Sequence, residues 1–300
     1  MEIVISGASG LIGSHLADSL RTDGHRAIAL VRRPTNGADE IQWDPDAGEI
    51  DGDSLEGCDA VVHLAGAGIG DRRWTESYKK KVLESRTRGT SLLATTLAGL
   101  NTAPRSFLSG SAIGYYGARG DDTLTEDAAA GDNFLADVCI KWEAAAQSAI
   151  DAGIRTAFLR TGIVLTPAGG VLTRLLPLFK LALGGKLGDG KQFMSWISIT
   201  DEIGAIRFLL DSDLAGPVNL TAPDPVRNAE FTSVLGDVLG RPTLLPVPAF
   251  APRLLLGREM ADALLFDSTR VVPAALDAAG YAFAHADLET ALRAELDRPA

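Results

Sequence analysis

The chain has 300 residues, 46% of them apolar, with 39 acidic side chains against 28 lysines and arginines and a net charge of −11 at pH 7. That length allows one large α/β domain, alone or with a small second one, and the apolar residues are too dispersed for a membrane span. The acidic balance argues against a nucleic-acid protein, and two cysteines and four histidines are too sparse for a zinc cluster.

The predicted elements begin at once. Met1 to Ile5 is a short apolar run, followed by Gly7, Gly10 and Gly13 at three-residue spacing and a helical pattern through Leu16 and Leu20. Strand, tight turn and helix in that order form a dinucleotide-binding turn. Gly7 permits the sharp turn, Gly10 lets a pyrophosphate approach the backbone, and Gly13 lets the helix pack close to the sheet. Ser9, Leu11 and Ile12 complete the cradle, where the helix N-terminus offers free N–H groups to the phosphates. With no charged-then-apolar leader before the first strand, the reading is cytoplasmic.

After Gly24, a helix C-cap, His25 to Val31 reads as the second strand and ends in Arg32-Arg33. An acidic residue there would suit the free ribose hydroxyl of NAD. Two arginines suit a 2′-phosphate, and favour NADP(H). Ile41 to Asp51 looks like a short excursion with turns. Cys58 to Gly68 is a buried strand running into a small-residue loop, where Leu64, Ala65 and Gly66 allow a nucleotide close to the backbone. His63 reads as a packed strand residue, and Cys58 and Cys139 as small buried hydrophobes.

Thr75 caps a helix that starts at Glu76 and carries Lys81 and Arg86. These two either reach a cofactor phosphate or belong to a solvated face. Arg105 to Ser109 is the next strand, ending in a hydroxyl-bearing loop with Ser111, Tyr115 and Tyr116. A helix runs from Asn133 to about Gly153, and a strand with a turn from Arg155 to Leu165. Beyond Leu165 the character changes to Pro, Gly and Leu, with helices over Val171 to Leu183 and Phe231 to Leu239 and a strand at Val218 to Thr221. Asp201 is a first-turn acid of the helix after Trp196. We therefore divide the chain into 1–165, the nucleotide-binding core, and 166–300, which completes that core and forms a small C-terminal domain.

These motifs together resemble the extended short-chain dehydrogenase/reductase superfamily, which includes nucleotide-sugar epimerases. The glycine turn, Leu64-Ala65-Gly66, the Ser109–Gly117 loop, Arg160-Thr161-Gly162 and Trp196 to Asp201 carry the resemblance. Trp43-Asp44, Arg73-Trp74-Thr75, Ser85-Arg86, Trp142 to Ala145 and Phe250 to Ala274 are similar to its epimerase family protein subgroup. The likeness implies a Rossmann-type doubly wound parallel sheet of α/β class, binding NADP(H), with a small C-terminal domain on the substrate side. It also implies a Ser and a Tyr-x-x-x-Lys pair, the phenol as acid/base and the lysine as its tuner.

Here the chain departs. Four residues after Tyr78, Tyr115, Tyr116 and Tyr281 stand Val82, Arg119, Gly120 and His285. At the matching helix position we read Asp137 and Lys141. A carboxylate beside an ammonium is a poor proton donor at pH 7, so the two read more simply as an exposed helix pair. The catalytic candidates are Ser111, to orient a carbonyl, with Tyr115, Tyr116, Lys141 or water as proton donor. Two functions follow: an oxidoreductase or epimerase-like enzyme on a small carbonyl or alcohol, with a nucleotide-sugar implied by the superfamily alone; or a binding protein that holds NADP(H) and has lost turnover. Neither nucleic acid nor membrane is expected as a partner.

Overall fold

The computed structural model describes residues 1–298. In chain order it begins β1 (Glu2–Ser6), α1 (Leu11–Thr22), β2 (Arg26–Val31), β3 (Glu40–Asp44), β4 (Glu49–Ile50), β5 (Ala60–His63), α2 (Glu76–Ala98) and β6 (Ser106–Ala112). It continues through β7 (Thr123–Leu124), α3 (Phe134–Ala144), α4 (Gln147–Asp151), β8 (Arg155–Thr161) and β9 (Ile163–Leu165). Next come α5 (Gly170–Lys180), β10 (Phe193–Met194), β11 (Trp196–Ser198), α6 (Ile199–Asp211), β12 (Gly216–Leu220), β13 (Val226–Arg227), α7 (Asn228–Leu239) and α8 (Phe250–Leu256).

The central sheet has the order β12-β8-β6-β5-β1-β2-β3-β4, parallel throughout except for β3 with β4. The chain winds outward from β1 on one side, then crosses to β5 and winds outward on the other. The β1/β5 boundary is therefore the switch point, and a crevice opens there at the carboxyl ends of the strands. Alternate residues of β1 face opposite layers. Ile3 and Ile5 pack with Leu16, Leu20, Ile206 and Leu209, while Val4 packs with Leu93, Leu97 and Phe107. Helices thus cover both faces, as the doubly wound reading requires.

The segment over Ile41 to Asp51 is more ordered than expected. Ile41 and Trp43 are buried while Gln42 and Asp44 are exposed, a period-two pattern that extends the sheet through β3 and β4. The turn signals at Asp44-Pro45 and Gly48 hid it. The helix expected from Asn133 onward breaks into α3 and α4 at Ala145 and Ala146, a site with neither Gly nor Pro to announce it. The cap at Thr75 forms as read, accepting from the N–H group of Tyr78, and Asn133 caps α3 in the same way, accepting from Ala136.

A third apolar cluster builds the C-terminal part around Leu172, Phe179, Trp196, Phe231 and Leu288. Parallel pairing of β9 with β11 and antiparallel pairing of β10 with β13 tie it to the end of β8. Asp201 is more than a first-turn acid. It is buried and accepts from the N–H groups of Ala284 and His285 and from the Tyr281 hydroxyl, pinning the tail to α6. Among the described residues no helix is long and apolar enough to cross a membrane.

Candidate functional site

The turn between β1 and α1 forms a backbone cradle. Gly7 has φ +71°, a left-handed conformation that glycine adopts without a steric cost, and a Cβ there would lie 2.9 Å from the backbone nitrogen of Ala65. The end of β1 and the Leu64-Ala65-Gly66 loop thus lie side by side. A Cβ on Gly13 would fall 2.2 Å from the Gly7 carbonyl oxygen, so this glycine lets the helix sit on its own turn. A Cβ on Gly10 would meet only the Gly7 carbonyl, leaving the space above it open. Gly10 is the N-cap of α1, and no side chain caps the helix. Its first N–H groups stay available to an anion. Ser9 and Gly10 are exposed at the mouth, while Ile12 turns into the core and Leu11 packs under Gly169.

The β5 side is fixed by a pair that the sequence reading treated as packing. The Ser6 hydroxyl accepts from the N–H groups of Leu64 and Ala65, at 3.2 and 3.3 Å, and lies 2.5 Å from His63 Nδ1, to which it donates. Burial, helped by the Arg86 charge, pushes His63 down to about 3, so the ring is neutral. It sits between Trp43 and Phe107 and staples one strand end to the other.

The two arginines after β2 part company. Arg33 grips Glu40 with both terminal nitrogens, at 2.8 and 2.6 Å, and holds that carboxyl down to about 2. It is therefore already partnered by a carboxylate. Arg32 is exposed and makes no hydrogen bond or ion pair among the described residues. On α2, Lys81 is exposed and likewise unpaired. Arg86 is half-buried, donates to the carbonyls of Ala67 and Val82 at 2.9 and 3.0 Å, and stacks on Trp142 at 5.0 Å. Among the described residues it has no carboxylate, and desolvation holds it below its usual value. A cation in that position, against Gly66, suits an anionic ligand. The open glycine, the uncapped helix and these cations fit a dinucleotide phosphate.

At the end of β6 the arrangement is the reverse. The Ser111 hydroxyl donates to Glu143 at 2.7 Å, and Arg160 grips the same carboxylate with two bonds of 2.9 Å. Burial disfavours a charged Arg160, but the hydrogen bonds and charge of Glu143 outweigh it and hold the guanidinium above its ordinary value. Arg160 also donates to the Tyr116 hydroxyl, which donates to Asn219 at 2.6 Å. Tyr116 is fully buried, and desolvation pushes it up to about 12, so its role is structural. Tyr115 lies flat on Arg160, 3.5 Å from guanidinium carbon to ring centre, and its hydroxyl makes no hydrogen bond among the described residues.

Helix α3 does not bring Lys141 to Ser111. Lys141 pairs with Asp137 at 2.7 Å, both side chains about half exposed, the exposed helix pair that the sequence favours. The buried face carries Leu135, Val138, Cys139 and Trp142. Leu135 and Cys139 keep the four-residue spacing expected of the Tyr and Lys, with Leu135 packed under Gly114 and the Cys139 thiol on the Ala112 carbonyl. Burial raises that thiol to about 11, which makes it an inert packing group. Glu143 and Arg160 had been noted only as marks of resemblance. A charged residue inside the otherwise buried strand Arg155–Thr161 was the available signal, because such a charge needs a partner.

The loop after Tyr116 leads to a cavity of about 650 Å³ lined by Asp121, Lys191, Gln192, Arg227 and Ser268 among others. Arg227 pairs with Asp121 at 2.9 Å and stacks on Phe193, while Lys191 makes no side-chain ion pair among the described residues.

A profile of the NAD dependent epimerase/dehydratase family matches residues 3–220, and one described only as a domain of unknown function matches residues 247–295. An epimerase family protein of Mycobacterium leprae is 44% identical over 99% of this chain and 96% of its own. The crystal structure of human epimerase family protein SDR39U1 with NADPH superposes with a TM-score of 0.91 at 34% identity, covering 99% of both chains. That of a nucleoside-diphosphate sugar epimerase from Corynebacterium glutamicum gives 0.81 at 37% identity, covering 99% of this chain and 58% of that one.

Proposed function

The chain belongs to the NAD dependent epimerase/dehydratase family, and on that premise we propose that it is an NADP(H)-binding oxidoreductase or epimerase-like protein acting at a carbonyl or alcohol carbon. The observation that carries this reading is the pair of cations without carboxylates, Arg32 past β2 and Arg86 beside Gly66, flanking a helix that starts uncapped. The human relative's structure with NADPH supports the same choice of cofactor. Gly7, Gly10, Gly13 and the first N–H groups of α1 would hold the pyrophosphate, and Arg32 the 2′-phosphate, with Ser9, Lys81 and the Leu64–Gly66 loop around them.

The nicotinamide, when bound, supplies or accepts hydride. Ser111 keeps its own proton on Glu143, so it serves as an acceptor that orients a substrate hydroxyl. Tyr115, stacked on Arg160, carries the free phenol that would exchange the proton. Lys191 and Arg227 suit a phosphorylated substrate reaching into the cavity, and a nucleotide-sugar fits that chemistry. The name of the Corynebacterium relative agrees with it. A second reading, a holder of NADP(H) without turnover, draws on the buried face of α3, which carries Leu135, Val138, Cys139 and Trp142 and no acid/base pair.

Fluorescence titration and single-turnover oxidation of bound NADPH by a panel of carbonyl compounds separate the two. For the enzyme, Tyr115→Phe should slow turnover by about a hundredfold or more with the NADPH affinity unchanged. Tight binding with no turnover, and a silent Ser111→Ala, would establish the non-catalytic reading. Failure to bind either nucleotide would overturn both.

A further inference from the structure

The C-terminal part carries a surface unlike the rest of the molecule. The stretches 174–188 and 240–258 hold Arg174, Lys180, Lys186, Arg241, Arg253 and Arg258 and no acidic residue, in a chain whose net charge is −11. Of the eleven large apolar side chains exposed among the described residues, eight lie in these same two stretches. Leu244 is 86% exposed, Leu254 77% and Leu255 75%, with Leu181, Leu183 and Phe250 close behind. The two stretches are laced together. The Val247 N–H donates to the Lys186 carbonyl and the Gly188 N–H to the Val247 carbonyl, Arg241 donates to the Lys180 carbonyl, and Gly185 packs against the backbone of Leu245. Pro242, Pro246 and Pro248 stiffen the segment that presents Leu244 and Leu245.

We propose that these two stretches dock on an anionic lipid surface. Exposure this high belongs to projecting side chains and not to the walls of a groove. Projecting leucines and a phenylalanine with interspersed cations suit an interface that accepts apolar groups to a shallow depth beneath charged headgroups. A second copy joined through the same face would set these cations against their own kind. Arg253 and Arg258 share Asp262, and Lys79 meets Glu259 at the edge, but Lys180 and Lys186 have no carboxylate among the described residues. The negative charge elsewhere is screened beyond a Debye length of about 8 Å at physiological salt. No spanning helix is needed for such contact, and the proposal departs from the expectation, drawn from the sequence, of no membrane partner.

Flotation of the full chain with vesicles tests this, comparing phosphatidylcholine alone with phosphatidylcholine containing roughly a third phosphatidylserine. The chain should float with the anionic vesicles and not with the neutral ones, and raised salt should release it. Lys180→Glu/Lys186→Glu and Leu254→Gln/Leu255→Gln should each lower the bound fraction about tenfold, with NADPH titration and circular dichroism confirming that both variants fold. No flotation with anionic vesicles overturns the proposal. A dimer in light scattering that Leu254→Gln/Leu255→Gln dissociates assigns the face to a second copy instead. Binding to polyglutamate but not to vesicles assigns it to an acidic protein.

Discussion

The two ends of the crevice treat their polar groups in opposite ways. At the β1–α1 turn the protein leaves them unpaired: α1 has no side-chain cap, Arg32 has no partner, and Arg86 lacks a carboxylate among the described residues. At the end of β6 it pairs nearly everything: Ser111, Glu143, Arg160, Tyr116 and Asn219 form one bonded chain. Unpaired groups await a ligand, whereas paired ones hold a shape. The contrast sets a proposed cofactor cradle against a proposed reaction end at which, among the described residues, the Tyr115 phenol has no hydrogen-bond partner.

The largest expected effect comes from breaking the paired end. Glu143→Ala leaves Arg160, 3% exposed, without its counter-charge, and should cost about 3–5 kcal/mol in urea unfolding. A loss under about 1 kcal/mol would mean that the clamp is not structural. Next is the cradle's own geometry. Gly13→Ala places a methyl 2.2 Å from the Gly7 carbonyl, and should cost about 1–3 kcal/mol despite the roughly 1 kcal/mol that Ala gains in a helix. NADPH affinity should fall with it, since the turn must open.

One atom spoils the tidy pairing near the end of β8. Glu202 is fully buried, takes one bond from Thr161 at 2.9 Å, and leaves its other oxygen without a partner among the described residues. Desolvation raises it to about 8, so the folded chain keeps this proton where the unfolded chain, near 4.5, has lost it. Its contribution is therefore full below about pH 4.5, declines as the pH rises toward 8, and is flat above. Comparison with Glu202→Gln should show the wild-type stability falling relative to the variant across that window. Parallel curves would mean that the acid is not buried as described. Smallest of all is Lys141→Ala. Its exposed pair with Asp137 should contribute within about 0.5 kcal/mol, and NADPH affinity and turnover should not move.

How much of this the sequence announces follows the same division. The cradle is a local device, three glycines between a strand and a helix, so its spacing is visible in a few residues. The cap at Thr75 is local too, and forms as read. The reaction end is assembled from β6, α3, β8 and β12, with partners 17 to 103 positions apart, and no short pattern reports such pairing. Arg33 illustrates the limit on a small scale. Its pair with Glu40 depends on β3 joining β2, which the turn residues around Asp44 concealed. Cys139 and Leu135 were legible in principle, because the apolar face of α3 fixes its inward positions.

The most direct test of the central claim is a paired titration of NADPH and NADH into the wild-type chain and Arg32→Ala. NADPH should bind the wild type at least tenfold more tightly than NADH, with Arg32→Ala losing about ten- to hundredfold for NADPH and leaving NADH unchanged. Equal binding of the two cofactors to the wild type, or an Arg32→Ala variant that keeps its preference for NADPH, would contradict it.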